Sequence, residues 1–236
     1  MKILFKPQTE WLPPEEFKDL SSYDEIAIDL ETKDPNLKTM GSGSVTGQAE
    51  IVGIALAVEG WSAYYPIAHE GGGNMDGKKV MDYFRTILNY PSTKIFHNAM
   101  YDVCFIRAKG LKINGTIADT MIAGSLVNEN RFRYDLGSLG RDYLGKGKNE
   151  AVLLETAKQW GVDPKSEMYK LPAMYVGEYA ERDAELTLEL WQEMKKQMLA
   201  EEVTSIFELE TELFPCLVDM RFLGVRVDVE AANQLK

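Results

Sequence analysis

Two acidic residues stand inside an apolar strand. In residues 25–32, EIAIDLET, Ile26, Ile28 and Leu30 alternate with Ala27, Asp29 and Glu31, the period-two pattern of a strand with two unlike faces. Strand interiors disfavour Asp. Asp29 and Glu31 lie two apart, so their side chains share one face. Like charges held side by side repel unless a cation or a proton joins them. Any fold for this chain has to accommodate that pair. Two readings are open at this point: an edge strand with a solvated face, or a strand whose acids hold a metal ion.

The surrounding pattern gives the fold class. Residues 51–58, IVGIALAV, form a nearly continuous apolar run; Glu59-Gly60 is a turn, and WSAYYPIAH follows as a second strand, so the two read as a hairpin. A loop over 70–77 leads to a helix over about 78–88. KIFHN, residues 94–98, reads as a short strand followed by a helix to about Lys109, and another short strand ends near Ala118. Asp119 is placed to cap a helix running through Val127. Residues 129–150 are polar and Gly-rich, 151–160 a helix stopped by Gly161, and a long helix runs from about Met174 to Leu199. Residues 11–20, WLPPEEFKDL, read as a short surface helix with Pro13 and Pro14 in its first turn. Residues 34–49 read as a loop, long enough to suggest a functional or mobile segment near the strand entry, a lid or a sensor. Strands first in sequence, then alternating with helices, indicate an α/β domain with a mixed sheet.

Composition excludes several function classes. The 236 residues carry 26 basic and 37 acidic side chains, a net charge of −11, which argues against tight non-specific duplex binding. Bound metal ions can reverse that sign locally. No apolar run is long enough to cross a bilayer, and MKILFKPQTE is too short in apolar residues for a secretory signal. Cys104 and Cys216 do not suggest a disulfide framework and fit a thiol-permissive cytoplasm. His69 and His97 are too few for a His-rich metal site.

Two further acids stand out by context. Asp102 ends the run Asn98-Ala99-Met100-Tyr101-Asp102 at a helix N-terminus, where an Asp commonly serves the helix dipole. Tyr179 and Asp183 lie one turn apart on one face of the long helix. There a phenol can hold a water while a carboxylate holds a metal. Glu178, Glu181 and Glu185 beside them read as solvated flank. Arg131, Arg133, Arg141, Lys146 and Lys148 share one polar stretch. A solvated loop is the first reading of that stretch, and a grip on the phosphates of a frayed single strand the second.

Taken in order, D-x-E on a strand, N-x-x-Y-D at a strand–helix junction and Y-x-x-x-D in a late helix resemble the DEDD superfamily of 3′–5′ exonucleases, in the variant with tyrosine in the last motif. The histidine variant would need His at position 178, which is Glu. The chain is most similar to the proofreading domain of family A, DNA polymerase I type, DNA polymerases; IVGIALAV, YYPIAH and IADTMIAGSLVN resemble the segments between that family's motifs. The resemblance implies a ribonuclease H-like mixed sheet flanked by helices, with a C-terminal helical extension. It implies two Mg²⁺ or Mn²⁺ ions, with Asp29 bridging both, Glu31 and Asp183 completing the water-activating site, and Asp102 supporting the second ion. Tyr179 would orient the attacking water. Thr32, Asn98 and Tyr101 would contact the terminal nucleotides of a single-stranded or frayed 3′ DNA end, and 5′-mononucleotides would be released.

Residues 208–228, ELETELFPCLVDMRFLGVRVD, resemble the entry into the polymerase body of that family at Glu210, Leu213, Pro215, Leu217, Met220, Gly224, Val227 and Asp228. Read from the residues alone, they are an amphipathic helix with a proline kink, then a Gly turn into a short extended segment. The expected division is an exonuclease domain over 1–200 and a helical linker with the start of a polymerase-type region over 201–236. The expected partner is a DNA polymerase body, in cis or as a separate subunit, with no membrane role. The expected location is the cytoplasm of a bacterium or a phage-infected host. The chain is then an excised N-terminal piece or a separately encoded exonuclease. Two alternatives remain at this stage: an RNA-processing exonuclease like ribonuclease D or T, and a silent scaffold that keeps the fold without the chemistry.

Overall fold

The computed structural model describes residues 9–235; the reading of the chain start therefore lies mostly outside the described residues. Five strands form one sheet: β1 (Glu25–Lys33), β2 (Glu50–Val58), β3 (Trp61–Pro66), β4 (Thr93–Phe96) and β5 (Ile117–Asp119). Their order across the sheet is β3-β2-β1-β4-β5. The hairpin is present: β2 and β3 pair antiparallel with Val58 opposite Trp61. β1 pairs antiparallel with β2 and parallel with β4, and β4 pairs parallel with β5. The sheet is mixed, and β1 is its central strand. This overturns the solvated-edge reading of Asp29 and Glu31.

The alternation in β1 divides the core. Ile26, Ile28 and Leu30 pack on one face with Val80, Phe84, Ile87 and Leu88 of helix α1 (Gly77–Asn89). Asp76 caps α1 by accepting from the amides of Lys78 and Lys79 at 3.0 and 3.1 Å. Helix α2 (Ala99–Ala108) packs on the same side. Ala27 faces the other way, into a cluster built on helices α3 (Thr120–Val127), α4 (Ala151–Trp160) and α5 (Gly177–Ala200). Asp29 and Glu31 continue the Ala27 face toward α5.

Four segments differ from their sequence reading. Residues 11–20 form no helix and run as an irregular strap. Trp11 donates its indole N–H to Glu181 at 2.9 Å, and Phe17 stacks on Tyr65 with ring centroids 5.6 Å apart. Burial of Trp11 and the stacking of Phe17 on Tyr65 hold the strap, where Pro13-Pro14 would have suited a helix start. Residues 34–49 contain two single-turn helices, Leu37–Met40 and Gly43–Thr46. The buried Asp34 carboxylate ties the segment shut by accepting from the Gly43 amide at 2.8 Å. Residues 136–144, read as polar loop, make a helical turn continued by a π-helical turn, with Leu136 and Leu139 buried. The long helix starts at Gly177, after a 3₁₀ turn over Ala173–Tyr175.

Helix α6 (Thr204–Leu223) carries Pro215 in its interior and buries Phe207, Phe214 and Val218 on the domain. Gly224 turns the chain with φ of 70°, residues 225–228 follow without regular structure, and Val229–Gln234 form a last short helix. No helix of the described residues is long and apolar enough to cross a membrane.

Candidate active site

The end of β4 creates the first contact. β4 pairs with β1 only as far as Ala27, so beyond it the β1 amides on that side need another acceptor. Asp102, in the first turn of α2, supplies one: its Oδ1 accepts from the Leu30 amide at 3.3 Å. That bond joins the N-x-x-Y-D motif to the D-x-E strand. Helix α2 is aimed by Asp119, which caps α3 as its sequence position suggested, accepting from Met121 N at 2.8 Å. The same carboxylate also accepts from Asn98 N at 3.0 Å and Ala99 N at 2.8 Å, one turn before Asp102. Asn98 itself takes a left-handed conformation, φ 66°, to make this turn. Asp119→Ala is expected to lower stability by about 2–4 kcal/mol, since three buried amides lose a charged acceptor. Urea denaturation checks it, and an unchanged midpoint would refute the double-cap role.

Small residues bring α5 onto the sheet. Ala180 and Ala184 are fully buried in one cluster with Ala27, Ala55 and Ala57 of β1 and β2. Helix and sheet therefore approach closely, and Tyr179 and Asp183 are carried to the Asp29–Glu31 face. Gly53, opposite Glu31, leaves room for the Tyr64 hydroxyl; a β-carbon there would lie 2.1 Å from it. Gly177 likewise makes room for the Trp11 ring at the start of α5. Glu181 is not solvated flank. It joins the strap to β3, accepting from the Trp11 indole and from the Tyr64 amide at 3.0 Å. Glu178 and Glu185 accept from Thr9 at 3.2 Å and from Ser62 at 2.6 Å.

Glu31, Asp102 and Asp183 are 7%, 5% and 2% exposed, and Asp29 is half-buried. Burial, reinforced by the nearby Asp183 charge, pushes Asp29 up to about 7. Burial and then repulsion from Asp29 and Asp183 push Glu31 well above the carboxylate range, and burial with Asp29 does the same for Asp102. Asp183 is raised by burial in spite of a cation beside it. Burial, then Asp183, also raises Tyr179, so its phenol stays neutral. Four acids on three elements thus act on one another in a setting that disfavours their charge.

That cation is Lys148. Its ammonium pairs with Asp183 Oδ2, lies 3.3 Å from the Tyr179 hydroxyl and sits 5.2 Å from the Tyr179 ring centroid. The sequence reading placed it in a basic stretch with no hint of this position. The stretch in fact disperses: Arg131 pairs with Asp142 and Lys146 with Glu189, while Arg133 and Arg141 line the same cleft as the acids. The cleft has a volume of about 980 Å³ and is also lined by Thr32, Asn98 and Tyr101. Thr32 and Tyr101 are hydrogen-bonded to each other through their hydroxyls at 2.7 Å, and Asn98 is exposed. His97 lines the cleft too, linked by Nδ1 to Thr120 Oγ1 at 2.8 Å; burial, then Lys148, lowers it to about 4, so it is neutral at physiological pH. As the side chains stand, no three His, Cys, Asp or Glu groups among the described residues are drawn together tightly enough to enclose a cation. Asp183 is turned to Lys148, and its other oxygen is buried without a partner.

Comparison with known proteins adds the family. A family described as 3′–5′ exonuclease matches residues 6–199. The chain belongs to this family, the exonuclease domain of family A, DNA polymerase I type, polymerases. A DNA-directed DNA polymerase of Pseudomonas phage M6 is 32% identical to this chain over 236 residues, covering 97% of this chain and 35% of that protein. DNA polymerase I of Chloroflexus aurantiacus is 25% identical over 201 residues, covering 79% of this chain and 20% of that protein. The exonuclease domain therefore spans only a minor part of these relatives. Among solved structures, Brucella melitensis NrnC with bound Mg²⁺ superposes with a TM-score of 0.63 at 17% identity, covering 87% of this chain and 89% of that one. Escherichia coli RNase D gives 0.57 at 19%, covering 92% and 51%. At those identities the likeness concerns the fold, a ribonuclease H-like mixed sheet flanked by helices.

Proposed function

We propose that the exonuclease domain removes nucleotides one at a time from single-stranded or frayed 3′ DNA ends by hydrolysis, releasing 5′-mononucleotides and editing for a DNA polymerase. The observation that carries this reading is the gathering of Asp29, Glu31 and Asp183 with Tyr179 on one cleft, with the buried Asp102 bonded to the same strand at the Leu30 amide. The polymerase relatives favour DNA over RNA as substrate. Residues 1–200 are assigned to the exonuclease unit and 201–236 to the linker toward a polymerase body, in cis or as a separate subunit. The domain would work in the cytoplasm of a bacterium or an infected host.

The donor set suits hard divalent cations, which prefer carboxylate oxygens. The unpartnered Asp183 oxygen is a ligand in waiting. Asp29, Glu31, Asp102 and Asp183 would hold two Mg²⁺ or Mn²⁺ ions, with Asp29 shared. Such ions supply neutralisation of the scissile phosphate and a lowered water pKa. The chain's own groups do the rest. Tyr179, kept neutral, positions the attacking water by hydrogen bonding. Thr32, Tyr101 and Asn98 seat the terminal nucleotides. Arg133 and Arg141 offset the acidic field and hold backbone phosphates.

The test is a gel assay on 5′-labelled single-stranded DNA with Mg²⁺, with EDTA, and with Asp29→Ala, beside a matched RNA strand. Stepwise shortening from the 3′ end is expected only for wild type with metal, and faster on DNA. Faster shortening of RNA would move the assignment to RNA processing. An intact 3′ end in every lane would leave a scaffold domain.

A further inference from the structure

Lys148 brings a positive charge of the protein's own against the acids of the cleft. Its side chain is 22% exposed, and the Asp183 side chain it pairs with is 4% exposed. Burial opposes its charge, but attraction from Asp183, and then from Asp29 and Glu31, outweighs that and raises its pKa. One ammonium is therefore in the field of three of the four acids. His97 faces the same charge as a neutral ring, and Glu150 adds a further negative charge near Asp183. The backbone that brings Lys148 in is irregular: residues 146–150 form no helix or strand. Gly145 turns it with φ of 64°, and nothing lies within 4 Å of the place a Gly147 β-carbon would take. No close packing pins the segment at that residue.

A divalent ion on Asp183 and an ammonium on the same carboxylate repel at short range. We propose that Lys148 is a tethered counter-cation: it holds Asp183 through Oδ2 in the metal-free domain and competes with a divalent ion for that carboxylate, so it sets the metal affinity of the site. This rests on the metal reading given above. It makes Lys148 a positioning residue that acts through Asp183. A purely structural salt bridge, clamping residues 146–150 to α5, predicts lower stability on its loss and no gain in metal affinity.

Calorimetric titration of the 236-residue chain with Mn²⁺, in the absence of DNA, separates the two. Lys148→Met is expected to bind Mn²⁺ roughly 10-fold more tightly than wild type, and Lys148→Arg to stay within about twofold of wild type. Unchanged or weaker Mn²⁺ binding by Lys148→Met overturns the inference. If that variant melts too low to titrate, the Mn²⁺-induced rise in its melting temperature is read instead. A rise larger than that of wild type supports the proposal, and an equal or smaller one overturns it. Asp29→Ala is titrated alongside. Equal binding by wild type and Asp29→Ala overturns the metal reading and this inference with it. Binding that is lost in Asp29→Ala but not tightened in Lys148→Met overturns this inference alone.

Discussion

Asp29→Ala is expected to lower the rate of 3′-end shortening by roughly 10³-fold or more, equivalent to ~4 kcal/mol of lost transition-state stabilisation. The same variant is expected to be more stable than wild type when metal is absent. Asp29 sits on the central strand with its pKa pushed to about 7 by burial and by Asp183. At pH 8 the folded protein must therefore hold a charge that its surroundings disfavour. Alanine relieves that, and also lowers the repulsion felt by Glu31 and Asp102. A melting temperature higher by about 2–6 °C follows for a domain of this size. Loss of activity combined with gain of stability marks a residue kept for chemistry. A variant that is both inactive and less stable would indicate that Asp29 mainly supports the fold.

The second large effect is on pH and metal together. Asp29 has an ordinary value of 3.8 and a folded value of about 7; Glu31 and Asp102 are shifted in the same direction. Between those limits the folded protein keeps protons that the unfolded chain has released. The stabilisation is full below the ordinary value and is lost as pH rises through about 7. The metal-free melting temperature is thus expected to fall between about pH 4 and 7. Acids whose values are lowered, such as Asp135 and Glu167, act in the opposite direction below that window. Mn²⁺ at about 100 times its dissociation constant adds ~2.7 kcal/mol, or roughly 5–10 °C, and flattens the profile. Asp29→Asn removes that response. A metal-free profile that is level from pH 5 to 8, with no rise at millimolar Mn²⁺, would refute the charged-cluster account.

What could be read from the sequence depended on how local each cause is. β1, the β2–β3 hairpin, α1 and α5 show their period in their own residues, and those elements lie where the pattern places them. Asp29 and Glu31 could be picked out because acids inside an apolar strand are locally odd, whereas Asp102, Tyr179 and Asp183 are ordinary in their own segments and are legible only through the ordered resemblance of the three motifs to the exonuclease family. Residues whose reason lies elsewhere could not. The strap over 11–20 has a proline pair suited to a helix start, but its course follows from Glu181 and Tyr65, far away in the chain. Glu181 looked like one more surface acid for the same reason. Asp119 revealed its cap on α3 and concealed its grip on α2. Lys148, in a Gly- and Lys-rich stretch, has no neighbour in sequence that announces Asp183.

The acids of the cleft and the lysine facing them also differ in how the chain holds them. β1 is the central strand; under Asp29 and Glu31 its backbone is laddered to β2 on one flank and held by Asp102 at the Leu30 amide on the other, so the acids stand on regular, packed structure. Residues 146–150 carry no regular structure and are held to the rest of the domain by the Lys146–Glu189 and Lys148–Asp183 pairs. The carboxylates are therefore set by the sheet and α5, and the positive charge facing them by an irregular segment. An exchange of Lys148 for a metal ion would thus change the charge of the cleft through an irregular segment alone, leaving the core that defines the cleft in place.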